Sequence, residues 1–263
     1  MSFTKTNTPL SIFMREQLQV NVFQDRKTMG RAAANDVSAC IKQLLKQKSE
    51  VNMIFAAAPS QDDFLRYLVK DPSISWDRIN AFHMDEYIGL DKDAPQAFGN
   101  FLKERIFDKV PFKSVHYIDG TTSDPEDECN RYGNKLKQYK VDIVCLGIGE
   151  NGHIAFNDPP VADFNDPYQV KIVNLDHASR QQQVNDKCFM HLDEVPQKAF
   201  TLTIPSLLKA DYLFCIVPTK LKAEAIRNTL KNPISEACPA TILRTKNNAF
   251  LYLEKESASL IDL

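Results

Sequence analysis

Little in this chain of 263 residues leans one way. Its 32 basic and 34 acidic side chains leave a formal charge of −2, so composition makes no case for a nucleic acid or an anionic membrane as partner. No window holds about 18 consecutive apolar residues, which excludes a transmembrane helix. The opening M-S-F-T-K-T-N-T-P-L has no long apolar run after a basic segment, so no secretory leader is expected. Internal repeats, low-complexity tracts and Gly/Ser-rich linkers are also missing, and one domain over residues 1–263 is the simpler expectation. The six cysteines (Cys40, Cys129, Cys145, Cys188, Cys215, Cys238) form no C-x-x-C pair, and several sit in apolar runs such as D-I-V-C-L and L-F-C-I-V. Buried, reduced thiols in a cytoplasmic protein fit that pattern better than disulfides or a zinc site. The five histidines show no paired-ligand spacing and no Ca²⁺-type acidic loop occurs, so neither a metal nor another cofactor is expected.

What the chain does have is 43% hydrophobic residues, ample for a sizeable core. Apolar runs alternate with helical patterns. A first long helix is expected from near Asp25 or Thr28, with Ala33, Val37, Cys40, Ile41, Leu44 and Leu45 on one face. Strand V-N-M-I-F-A-A-A, helix S-Q-D-D-F-L-R-Y-L-V-K and strand R-I-N-A-F-H-M follow. Helices F-G-N-F-L-K-E-R-I-F and E-D-E-C-N-R-Y-G-N-K-L-K-Q-Y precede strand V-D-I-V-C-L-G. Later strands are Q-V-K-I-V-N-L, A-F-T-L-T-I, Y-L-F-C-I-V and N-A-F-L-Y-L, with helices around Gln181 and Lys222. Near-continuous apolar strands alternating with amphipathic helices argue for an α/β fold, a mostly parallel Rossmann-like sheet covered on both faces. Ligands then bind beyond the carboxyl ends of the strands.

Two strand ends carry candidate chemistry. The first is G-I-G-E-N-G-H from Gly147 to His153, which matches G-x-G-x-x-G. A dinucleotide site needs the third glycine inside a helix that receives the pyrophosphate. Here Pro159 and Pro160 follow too soon for such a helix, so the glycines are read as permitting a tight turn. His153 in that turn is a structural residue or a proton carrier. Asp158 is placed to reach back to one ring nitrogen and fix the tautomer, and Asn151 can hydrogen-bond but not ionise. The second is Asp85-Glu86 directly after I-N-A-F-H-M, either a solvated strand end or a general base at the edge of the sheet. A carboxylate base with a histidine acid suits proton movement at a sugar carbon and oxygen.

Together F-H-M-D-E-Y-I-G-L (Phe82 to Leu90) and L-G-I-G-E-N-G-H-I-A-F-N-D-P (Leu146 to Pro159) closely resemble the signatures of glucosamine-6-phosphate deaminases, in a superfamily shared with 6-phosphogluconolactonases. The Asp-Glu-Tyr and His-Ile-Ala-Phe-Asn details favour the deaminase branch. The resemblance implies opening of an amino-sugar phosphate ring, aldose–ketose isomerisation and release of ammonia. Asp85 would move the proton between C2 and C1, His153 would assist ring opening, and Asn151 and Asp158 would orient His153. Many family members carry aspartate at Asn151 and usually glutamate at Asp158, so the side chain here is one methylene shorter.

The family's phosphate loop, Thr/Ser-Gly-Gly-Thr/Ser after the first strand, is rebuilt here as Ala57-Ala58-Pro59-Ser60-Gln61-Asp62-Asp63. Pro59 has no N–H, Ser60 with Asp63 reads as a capping box, and two aspartates oppose a phosphate. Ser60 and Gln61 remain as donors to a hydroxyl or one phosphate oxygen. Lys187 and Lys222 match later basic positions of the family, with a solvated helix face as the alternative for each, and Gly152 completes the substrate-binding candidates. The segment Asp158 to Pro167 resembles the family's mobile lid, or is a surface connection. A small-molecule sugar phosphate is thus the expected partner, most readily glucosamine 6-phosphate, with a homo-oligomer possible. The alternatives are a related isomerase with a non-phosphorylated or galactosamine-type substrate, or a non-catalytic sugar-binding regulator.

Overall fold

The computed structural model describes residues 8–262. Strands β1 (Ser11–Arg15) and β2 (Leu18–Phe23) lead into helix α1 (Arg26–Leu45) and strand β3 (Val51–Phe55). A short 3-10 helix, Pro59–Gln61, precedes α2 (Asp62–Leu68), β4 (Ile79–His83), β5 (Asp85–Tyr87), α3 (Phe98–Leu102) and β6 (Ser114–His116). Next come α4 (Pro125–Gln138), β7 (Ile143–Leu146), β8 (Val170–Asn174), α5 (His177–Asn185) and β9 (Lys198–Leu202). The chain closes with α6 (Ile204–Leu208), β10 (Tyr212–Val217), α7 (Ala223–Lys231) and β11 (Ala249–Glu254). No described helix is long and apolar enough to cross a membrane.

The eight-stranded sheet runs in the order β1-β2-β11-β10-β7-β3-β4-β6, parallel throughout except for the β1–β2 hairpin. Its central strands are apolar at nearly every position because both faces are covered, and alternate residues feed opposite layers. Met53, Phe55, Ile143, Cys145, Phe214 and Ile216 pack with α1 and α2 on one side. Ile54, Val144, Leu146, Leu213, Cys215 and Val217 pack on the other. Helix α1 starts at a reciprocal cap: Asp25 Oδ1 accepts from Thr28 N at 2.8 Å and the Asp25 N–H donates to Thr28 Oγ1 at 3.3 Å.

Three expectations need correction. Q-V-K-I-V-N-L and A-F-T-L-T-I are strands β8 and β9, but they lie in a second, antiparallel sheet of order β5-β9-β8. Asp85 and Glu86 do not end strand β4. They begin β5 after the chain switches sheets at Met84. The segment read as one helix from Phe98 turns into a π-helix over Lys103–Phe107.

Strands β3 and β7 are neighbours, yet the chain runs outward from β3 through β4 and β6, and the opposite way from β7 through β10 and β11. Their carboxyl ends therefore open the crevice where sheets of this kind bind ligands.

Candidate active site

Loops from β3 and β7 and the start of β5 wall a narrow cavity in that crevice. Ala57, Ser60, Asp85, Gly149, His153 and Lys222 line it, with Gln182 and Gln183 from α5 and the rings of Phe98 and Phe156. A larger hollow of about 420 Å³ lies behind β5 against Glu86 and Tyr117, but neither Asp85 nor His153 lines it.

His153 is buried, and its Nδ1 lies 2.8 Å from Asn151 Oδ1, 2.8 Å from Ser179 Oγ and 2.9 Å from Asp158 Oδ1. Asn151 Nδ2 donates to Asp158 Oδ1 at 2.9 Å, which turns the Asn151 carbonyl toward the ring and toward the His153 N–H at 3.1 Å. An acceptor facing Nδ1 assigns the proton to that nitrogen and leaves Nε2 for a ligand. Burial pushes the Asp158 carboxyl up, but hydrogen bonding and charge from His153, then hydrogen bonds from Asn151 and Ser179, outweigh it and hold it at about 2. The shorter aspartate thus reaches the ring nitrogen.

The glycines of the turn have separate reasons. A Cβ on Gly149 would fall 2.2–2.4 Å from His153 ring atoms, so the imidazole rests directly on that backbone. Gly152 has φ +86°, a left-handed conformation, and meets Cys238 rather than the cavity. No helix follows it, only a bridge between Ile154 and Asn157, so no seat for a pyrophosphate forms. Gly152 is therefore a turn residue and not a cavity contact.

Asp85 sits across the cavity on β5. Burial, reinforced by the charge of Glu86, pushes its carboxyl well above the usual range. Among the described residues, none donates a hydrogen bond to that carboxylate. Glu86 points the other way, where Tyr87 N, Phe98 N and Gly99 N donate to it at 2.8–2.9 Å. Burial still raises it to about 7.

The two sides are tied by Thr201 on β9. It stands opposite Asp85 in the ladder, and its Oγ1 accepts from Phe156 N at 3.0 Å in the His153 loop.

At the other end of the cavity the rebuilt loop differs from its sequence reading. The 3-10 helix Pro59–Gln61 follows Ala58, and neither it nor α2 has a side-chain cap, so Ser60 does not cap against Asp63. Ser60 Oγ instead takes a hydrogen bond from Gln61 Nε2 at 3.1 Å. That same Gln61 amide reaches Ile216 O at 3.1 Å, so Gln61 braces the loop from beneath and does not line the cavity. Both aspartates are drawn off: Asp62 pairs with Arg105 at 2.6 Å, and Asp63 with Arg26 at 2.6 Å and with Arg66. Lys187 is exposed, with φ +62°, and does not line the cavity, because the chain turns there at the end of α5. Lys222 does line it, 4% exposed, with no hydrogen-bond partner for Nζ. Burial pulls its ammonium down, against the distant charges of Asp186 and Glu150.

Sequence reasoning missed Ser179, Gln182 and Gln183. All three are buried on one face of α5 at helical spacing, where an apolar stripe would be ordinary. Gln182 Oε1 accepts from Glu150 N at 2.9 Å, while Gln183 opens to the cavity. A polar stripe on a helix that must be buried was the available signal.

The family described as glucosamine-6-phosphate isomerases/6-phosphogluconolactonase matches residues 24–252. A glucosamine-6-phosphate deaminase of Exiguobacterium sibiricum is 37% identical over 192 residues, 70% of this chain and 73% of its own. One of Bacillus thuringiensis is 34% identical over 220 residues, 84% of this chain and 82% of its own. Among solved structures, a monomeric glucosamine-6-phosphate deaminase superposes with a TM-score of 0.83 at 29% identity, covering 92% of this chain and 99% of that one. A 6-phosphogluconolactonase from Thermotoga maritima gives 0.73 at 20% identity, over 90% and 99%, a likeness of fold alone.

Proposed function

The chain belongs to the glucosamine-6-phosphate isomerase/6-phosphogluconolactonase family, and from that premise we propose that it converts glucosamine 6-phosphate and water to fructose 6-phosphate and ammonia. The observation that carries this is one cavity lined by a buried carboxylate, a buried imidazole and an unpartnered ammonium. Lys222 Nζ and Ser60 Oγ receive the phosphate, and the paired-off Asp62 and Asp63 no longer oppose it. Nε2 of His153 takes the anomeric proton and returns one to the ring oxygen, which opens the pyranose to the aldehyde. Asp85 then removes the C2 proton and delivers it to C1, while O1 takes up a proton released by the C2 ammonium, so that C1 becomes a hydroxymethyl carbon and C2 an iminium carbon. Water adds there and ammonia leaves.

Burial suits Asp85 to the task, since a carboxylate with raised proton affinity is a stronger base, and the substrate ammonium beside it favours the ionised form. The six free thiols fit a cytoplasmic setting.

A coupled assay with hexosamine 6-phosphates is expected to register ammonia and fructose 6-phosphate, and Asp85→Asn to abolish both. No release from the glucosamine, galactosamine or mannosamine phosphates overturns the reading. A second reading, an unphosphorylated sugar, draws on Pro59: it has no N–H to offer, and its carbonyl is engaged by Arg26. Tighter binding of the free sugar than of its 6-phosphate would favour it.

A further inference from the structure

Of the side chains around His153, Ser179 is the one that no motif marks. It is 1% exposed, and it hangs on a helix that is held from two directions. Arg180 donates to the carbonyls of Leu192 at 2.5 Å and Val195 at 2.9 Å, and Gln182 takes the Glu150 N–H from the loop that carries His153. The Ser179 hydroxyl is therefore delivered to the imidazole by a fixed element.

Counting protons assigns its contacts. Nδ1 carries one hydrogen and faces three oxygens. Asn151 Oδ1 already takes the His153 backbone N–H. The single Ser179 proton goes to Asp158 Oδ1, a carboxylate oxygen that cannot donate, which leaves the Ser179 lone pairs facing the ring. Asp158 is held lopsidedly: Oδ1 collects Asn151, Ser179 and the ring, while Oδ2 is buried without a partner.

We propose that Ser179 is a positioning residue for His153, holding the Nδ1-protonated imidazole in one orientation with Nε2 turned to the cavity, and pinning Asp158 by one oxygen. The inference rests on His153 as the proton carrier of the proposed reaction. Without the hydroxyl, Asp158 keeps Asn151 as its one side-chain donor besides the ring, and Nδ1 loses an acceptor. The vacancy left by one oxygen atom is too small for a replacing water.

Two measurements on Ser179→Ala decide it. In the free enzyme, long-range ¹H–¹⁵N correlations of His153 are expected to show one sharp Nδ1–H ring signal in the parent and, because Asn151 and Asp158 still accept from Nδ1, the same tautomer with doubled or exchange-broadened ring resonances in Ser179→Ala. In turnover of glucosamine 6-phosphate, kcat is expected to fall ~10- to 100-fold with KM within ~2-fold, and Ser179→Thr, which keeps the hydroxyl, to recover much of the loss. A Ser179→Ala enzyme whose His153 ring resonances stay single and as sharp as the parent's, whatever its rate, overturns the proposal, as does a rise in KM with kcat unchanged. Should the parent turn over no hexosamine phosphate, the functional reading falls, yet the comparison of ring resonances needs no substrate and still decides the role of Ser179.

Discussion

Adding one methyl group at Gly149 tests how closely the imidazole is seated. A Cβ there falls 2.2 Å from His153 Cε1, 2.3 Å from Nε2 and 2.4 Å from Nδ1. Carbon contacts settle near ~3.5 Å, so the ring must retreat by about 1 Å. It has no soft direction to take, because Nδ1 is anchored on Asn151, Ser179 and Asp158. A displacement of ~1 Å of a reacting group costs ~100-fold, or ~2.7 kcal/mol of barrier. Gly149→Ala is therefore expected to lose about two orders of magnitude in kcat/KM. The fold is expected to survive, because the position has no left-handed backbone and its N–H still donates to His153 O. Ammonia release coupled to glutamate dehydrogenase gives the rate, and thermal unfolding checks the fold. Gly152→Ala makes the contrast: its φ of +86° and a Cβ placed 2.6 Å from Cys238 Sγ predict lost stability first. A Gly149→Ala enzyme at parental rate, with its ring unmoved, would refute the reasoning.

Lys222→Met has two expected effects of opposite sign. The free protein gains ~1–3 kcal/mol from losing a buried, unpaired ammonium, read as a higher unfolding midpoint, while KM for the phosphosugar rises at least ~10-fold; an unchanged KM removes Lys222 from the phosphate site. Stability should fall between pH 4.5 and 7 partly through Glu86: burial raises its folded value to about 7 from 4.5, so the unfolded chain releases that proton first and ionisation favours unfolding. Urea midpoints of Glu86→Gln across that range should show a shallower decline, and an identical slope counts against the assignment. Tyr132→Phe strips the hydroxyl that accepts from His83 N at 3.0 Å and donates to His83 O at 2.9 Å. It should destabilise by ~1–3 kcal/mol in the same urea titration, and a neutral result would mean the freed groups find other partners.

What the sequence disclosed followed burial. Strands β3, β4, β7, β10 and β11 are apolar on both faces, and a run such as V-D-I-V-C-L has few other uses. The β1–β2 hairpin escaped because Ile12 and Met14 are exposed, so its pattern says little about a core. Strand β5 is three residues long, too short for periodicity to register, and only pairing with β9 defines it. Within the site, Asp85, Asn151, His153 and Asp158 belong to short local motifs. Ser179, Gln182 and Gln183 come from 26 or more residues beyond His153, and folding alone brings them in. Lys187 and Gln61 fit a pattern yet are turned elsewhere, one by a left-handed backbone and the other by the Ile216 carbonyl. Asp62 and Asp63 looked hostile to an anion until Arg26 and Arg105, distant in the chain, claimed them.

Thr201 has a consequence for the spacing across the cavity. One residue keeps register with Asp85 and holds the loop of His153, so it works as a spacer gauge between two side chains mounted on different frames. Trimming its methyl in Thr201→Ser, or removing its acceptor oxygen in Thr201→Val, is expected to alter that gap with Asp85 and His153 themselves unchanged. The distance across the cavity thus depends on a residue that does not itself line it.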